Sequence, residues 1–145
     1  MSSRHKAREQ ALQVLFSWDA RKLTAQESLD AFYGSLSSEE AEACNSRDAF
    51  LDQLVRGTVA QITEIDSRIT KHAEHWRLER MPAVDRNILR LAVYEILHTD
   101  TPAAVLIDEA LELARRFAGK ESVNFVNGVL DAVNREHQKR VNHAT

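Results

Sequence analysis

A chain of 145 residues, 43% hydrophobic and 28% charged, has the length and composition of one compact globular domain, which excludes disordered and fibrous classes. Nineteen Lys and Arg against 22 Asp and Glu give a net charge of −3, which as an average speaks against nucleic acid. Four Gly and two Pro favour long helices over a many-stranded sheet, and a single cysteine, Cys44, excludes an internal disulfide or a thiol metal cluster.

The average charge conceals a segregation. Arg4, Lys6 and Arg8, with His5 beside them, open the chain without an acid. Between residues 27 and 52 seven acids face one base, Arg47, and Arg135, Lys139 and Arg140 restore a basic character near the end. No apolar run of signal-peptide type follows the basic start, and no run of about 18 apolar residues could cross a membrane, so a cytoplasmic location is expected.

In chain order, Ala7, Ala11, Val14, Leu15 and Trp18 form one stripe at helical spacing and predict a first helix over residues 4–20. Leu29, Phe32 and Tyr33 predict a second over 26–36, followed by a polar connection from Gly34 to Ser46. Apolar residues from Phe50 to Ile69 continue at spacings of three and four, so 47–75 is one helix or two, with Gly57 the expected weak point. Pro82 favours a fresh start, and the run to His98 is apolar on nearly every side, as a buried central helix requires. Thr101 with Pro102 has the form of an N-cap and first helical position, Gly119 that of a C-terminal cap, and Ser122 that of the cap of a last helix. Gly128 lies inside that helix, where it is expected to let a neighbour approach closely. Residues 1–145 are read as a single domain.

Catalytic motifs are missing: the sequence has no glycine-rich phosphate loop, no GxSxG, no HExxH and no paired cysteines. His72 and His75 are three apart, but no third ligand accompanies them, so a surface role is favoured over a metal site. Cys44 sits among acids, which disfavours a thiolate nucleophile. The basic start is more informative: short arms of this kind bind RNA through phosphate contacts and guanidinium stacking, with a merely solvated terminus the equal alternative. Phe16 falls on the side of His5 and Glu9 rather than on the apolar stripe, where it could stack a base; packing of this helix on two faces is the alternative.

Three ordered motifs then carry a resemblance over essentially the whole chain. The run Val84-Asp85-Arg86-Asn87-Ile88-Leu89-Arg90-Leu91-Ala92-Val93-Tyr94-Glu95-Ile96, then Pro102 with Ile107-Asp108-Glu109-Ala110-Leu111-Glu112-Leu113-Ala114, then Phe125-Val126-Asn127-Gly128-Val129-Leu130-Asp131, is similar to the NusB family of transcription antitermination factors. The start, Arg8-Glu9-Gln10-Ala11 through Leu15-Phe16-Ser17-Trp18, resembles that family too.

The resemblance implies an all-α fold of about six to seven helices in two small bundles packed across each other, no enzymatic activity and no cofactor. It implies binding to the boxA RNA of ribosomal RNA leader transcripts together with the ribosomal protein NusE, in a complex with NusA, NusG and RNA polymerase. It places RNA contacts at Arg4, His5, Lys6, Arg8, Phe16, Glu121 and Phe125, and NusE contacts near Glu79, Asp85 and Arg86. For Phe125 core packing is the competing reading. His5 and Lys6 stand where arginines are frequent, and since Lys lacks the planar fork and His5 is largely neutral at pH 7, weaker RNA binding without the partner is expected. Some family members self-associate, so a homodimer stays open. Two alternatives remain: a helical adaptor without RNA, and a NusB-like domain detached from an rRNA cytosine methyltransferase.

Overall fold

The computed structural model describes residues 3–36, 48–74 and 76–143, and among these residues it contains seven α-helices, one short 3-10 turn and no strand. The chain divides into two compact units, Met1–Ala60 and Gln61–Thr145. No helix among the described residues is long and apolar enough to cross a membrane.

In the first unit, α1 (Arg4–Arg21) starts where the Ser3 hydroxyl accepts from the Lys6 N–H at 3.0 Å, and it stops at Lys22, which turns left-handed with φ 58°. Its buried stripe, Ala7, Ala11, Leu12, Val14 and Leu15, packs against α2 (Ala25–Ser35) and α3 (Ala49–Ala60). Thr24 and Glu27 close a reciprocal capping box at the start of α2. The Thr24 backbone N–H and hydroxyl hold the Glu27 carboxyl below its ordinary range. The Tyr33 hydroxyl donates to Asp52 and accepts from the Asp48 N–H, both at 2.9 Å, fastening α2 to the start of α3. Burial, and then the bond to Asp52, push the Tyr33 phenol well above its usual range. Leu15, Leu29, Leu51, Leu54 and Val55 fill this unit's core.

Helix α3 runs straight through Gly57 and ends at Ala60, so the expected weak point is not where the helix breaks. Burial of Leu54, Val55 and Thr58 around the glycine outweighs its intrinsic cost of about 1 kcal/mol. The interruption falls at Gln61, which has no side-chain cap.

In the second unit, α4 (Ile62–His72) is followed by the 3-10 turn Leu78–Arg80, then α5 (Ala83–His98), α6 (Ala103–Phe117) and α7 (Lys120–His143). As its composition requires, α5 is the central element, packed against α4, α6 and α7. It also buries polar groups. Arg90 forms a two-pronged pair with Asp66 of α4 at 2.9 and 3.0 Å and donates to Asn87 at 3.2 Å. Pro102 takes the N-cap position expected of Thr101, a shift of one residue. Gly119 adopts φ +131° after α6, in the conformation expected of a terminating glycine.

Two expectations for α7 are corrected. The helix begins at Lys120, so Ser122 does not cap it; its hydroxyl lies 2.9 Å from both Asp85 carboxylate oxygens and donates to that carboxylate. Gly128 is exposed, and nothing stands within 4 Å of where its Cβ would be, so it admits no close neighbour. The stretch 37–47, with Cys44, and His75 lie outside the described residues.

Candidate nucleic-acid interface

Each unit presents a distinct set of the residues singled out by the sequence. On the first unit, Ser3 fixes the start of α1 so that Arg4 and Arg8, one turn apart, share a face beside Phe50 of α3. The guanidinium carbons lie 4.1 and 5.5 Å from the Phe50 ring centre. Arg8 is only 5% exposed, so it does not extend into solvent as an arm residue would: the packing of α1 on α3 draws it inward. Arg4 and Lys6 are exposed, and His5 is half-buried. Glu9 sits 3.4 Å from His5 and 3.6 Å from Lys6, which moderates the positive charge here. Phe16 is 42% exposed, consistent with its off-stripe position and opposed to packing of α1 on both faces at that point.

The second unit holds an aromatic cleft of about 180 Å³ lined by Trp76, Met81, Pro82, Asp85, Glu121, Ser122 and Phe125. Phe125 is half-buried, with its ring edge-on to Trp76 at 6.3 Å, so it belongs to the cleft wall rather than wholly to the core. Trp76 is 53% exposed. Glu121 is exposed at the rim, and Asp85 forms the polar floor, buried and engaged by Ser122. Apolar walls with few, fixed polar groups suit a planar, partly polar ligand such as a base.

Of the three residues assigned to a partner surface, Glu79 is exposed in the 3-10 turn. Arg86 donates to the Leu78 and Met81 carbonyls at 3.1 and 3.0 Å, holding that turn against α5. Asp85 is 4% exposed, so its carboxylate works first inside the unit. His72 lies 3.4 Å from Glu136, in a cluster of charges between α4 and α7, and no metal-binding group of three side chains occurs among the described residues.

The sequence pattern does not announce Trp76 or Phe50. Trp76 follows Ile65 and Ile69 in helical register and so reads as core, but α4 ends at His72 and the tryptophan escapes the register. Phe50 likewise fits an apolar stripe, and nothing local signals that its face receives two arginines.

All-helical units that expose aromatic rings beside charged residues have the surfaces of a helical binding protein. Residues 5–135 match the profile of the NusB family. The transcription antitermination protein NusB of Solibacter usitatus is 62% identical over 94% of this chain and 91% of its own, and that of Koribacter versatilis 47% identical over 92% and 90%. Among solved structures, NusB of T. maritima superposes with a TM-score of 0.78 at 33% identity, covering 94% of this chain and 93% of that one. A complex of the antitermination factors NusB and NusE with double-stranded RNA matches with a TM-score of 0.74 at 32% identity, covering 92% of this chain and 96% of that one. The chain belongs to the NusB family. Its relatives are regulatory proteins of transcription rather than enzymes.

Proposed function

We propose that this chain is a cytoplasmic antitermination factor that binds the boxA RNA of ribosomal RNA leader transcripts together with NusE. With NusA, NusG and RNA polymerase it supports processive rRNA transcription, residues 1–145 serving as one RNA-binding domain. The observation that carries this reading is the similarity to the NusB chain found with NusE and RNA in a solved complex. The chemistry of the chain agrees with it. Single-stranded RNA is held by stacking unpaired bases and neutralising phosphates; Phe16, Trp76 and Phe125 offer ring faces, and Arg4 and Lys6 offer exposed charge. His5 and Arg8 complete the basic end of α1, and Glu121 can accept from a base amino group. Glu79 is the exposed member of the proposed NusE surface, Arg86 holds the turn that presents it, and Asp85 is buried against Ser122.

The test is boxA binding by the complex with NusE, for the wild type and for Arg4→Ala with Lys6→Ala. The double variant should bind several-fold more weakly, with a shallower salt dependence. Unchanged binding overturns the role of the basic end.

A further inference from the structure

The helices α4 and α7 pack together and run antiparallel: Trp76, just past α4, meets Phe125, whereas Arg68, earlier in α4, reaches Glu136, later in α7. At 100° per residue Phe125 and Glu136 differ in direction by about 20° and lie about 16 Å apart along the axis. By the same spacing Glu121, Lys139, Arg140 and His143 fall on this stripe of α7. The seam thus leads from the aromatic cleft to the basic end of the last helix.

Its charge is unbalanced. The Glu136 carboxylate accepts from Arg68 and Lys71 and lies 4.0 Å from Arg140, with His72 at 3.4 Å. One carboxylate cannot neutralise three permanent cations. Arg68, 14% exposed, and Lys71 both hold Glu136, but Lys71 and Arg140 keep 58% and 59% of their side chains in solvent. Asp66 pairs with Arg90, Glu64 with His98 and Asp131 with Arg135, while exposed Glu74 and Glu121 lie towards the cleft end of the seam rather than at its basic end. Lys139, exposed on the same stripe, adds a further charge.

We propose that this seam carries the RNA backbone beyond the cleft: bases engage the Trp76 and Phe125 rings, and the phosphates that follow are met by Lys71, Lys139 and Arg140. This rests on the RNA-binding reading above and extends it to residues that reading does not use. A polyanionic strand fits better than an acidic protein, because single-strand sites combine stacking rings with a cationic track continuous with them, which is the arrangement along α7.

The experiment uses the full chain with NusE and two probes, boxA RNA and the same RNA lengthened by about six nucleotides at each end, within the range of single-strand site sizes. The variant is Lys71→Ala, Lys139→Ala, Arg140→Ala, which leaves Arg68 to hold Glu136. Binding of the lengthened RNA should weaken about tenfold, and its salt slope should fall by about 2, at roughly 0.7 per phosphate contact, while boxA alone binds as before. Phe125→Ala should weaken both probes. If the triple variant binds the lengthened RNA like the wild type, the seam is overturned and the RNA-binding reading stands. The seam is likewise overturned if the variant loses only NusE. If the wild type binds neither probe, both readings fall.

Discussion

The guanidinium carbon of Arg4 stands 4.1 Å above the centre of the Phe50 ring, and Arg8 approaches the same ring at 5.5 Å. The ring holds the exposed arginine in place, which in the proposed function orders it ahead of RNA. Phe50→Leu keeps apolar volume and removes the quadrupole, so it should cost about 0.5–1 kcal/mol of RNA affinity, a two- to fivefold loss. Fluorescence anisotropy with labelled boxA measures it, and an affinity equal to the wild type rejects a positioning role for Phe50.

Trp76 is half in solvent yet contacts Phe125, so its indole contributes little to the core and much to the cleft wall. Trp76→Ala should leave thermal unfolding nearly unchanged while lowering RNA binding by about 1–3 kcal/mol, the range for loss of one base stacked on an aromatic side chain. A large fall in melting temperature with intact RNA binding would place the residue in the fold instead.

Ser122 is the polar partner that joins the first turn of α7 to the buried Asp85 of α5. Ser122→Ala removes a hydrogen bond to a carboxylate that water reaches poorly, and the expected loss is about 1–3 kcal/mol. Urea unfolding reads this directly. A midpoint shift with an unchanged slope would confirm that the native state, not the compactness of the unfolded chain, has changed.

Glu136 titrates far from its ordinary range because the Lys71 ammonium, and after it the Arg68 guanidinium, hold the carboxylate, offset in part by burial, leaving its pKa at about 2. The folded value lies below the unfolded one. The group therefore stabilises the fold fully above about pH 4.5, and that contribution is lost as the pH falls from there towards 2. With two partly solvated cations as partners, about 1 kcal/mol is expected after screening. Glu136→Gln should flatten this part of the acid-unfolding profile; an unaltered profile would show that the ion pairs do not contribute.

Helices whose apolar residues recur at helical spacing, on one face or on nearly all, are legible in the sequence, because the period and the flanking caps set where they run. Helix α1 and the central α5 fall within a residue or so of their expected bounds, and Gly119 ends α6 as its lack of a Cβ allows. What fails to show depends on contacts distant in sequence. Packing around Leu54 and Thr58 carries α3 past Gly57, and Asp85 draws Ser122 away from a capping role. The candidate site divides in the same way. Phe16 declares itself by lying off the stripe, whereas Arg8 changes from an exposed cation to a buried one only because Phe50 arrives from another helix.

Gly128 offers a further use of the molecule. It sits on α7 between Phe125 and Glu136, with open space where a side chain would begin. A cysteine there, in a chain whose Cys44 is replaced by serine, would give a single attachment point for a small fluorophore riding on the helix without displacing a neighbour. Changes in its emission would time the arrival of a strand along α7, turning an unoccupied helical position into a built-in reporter.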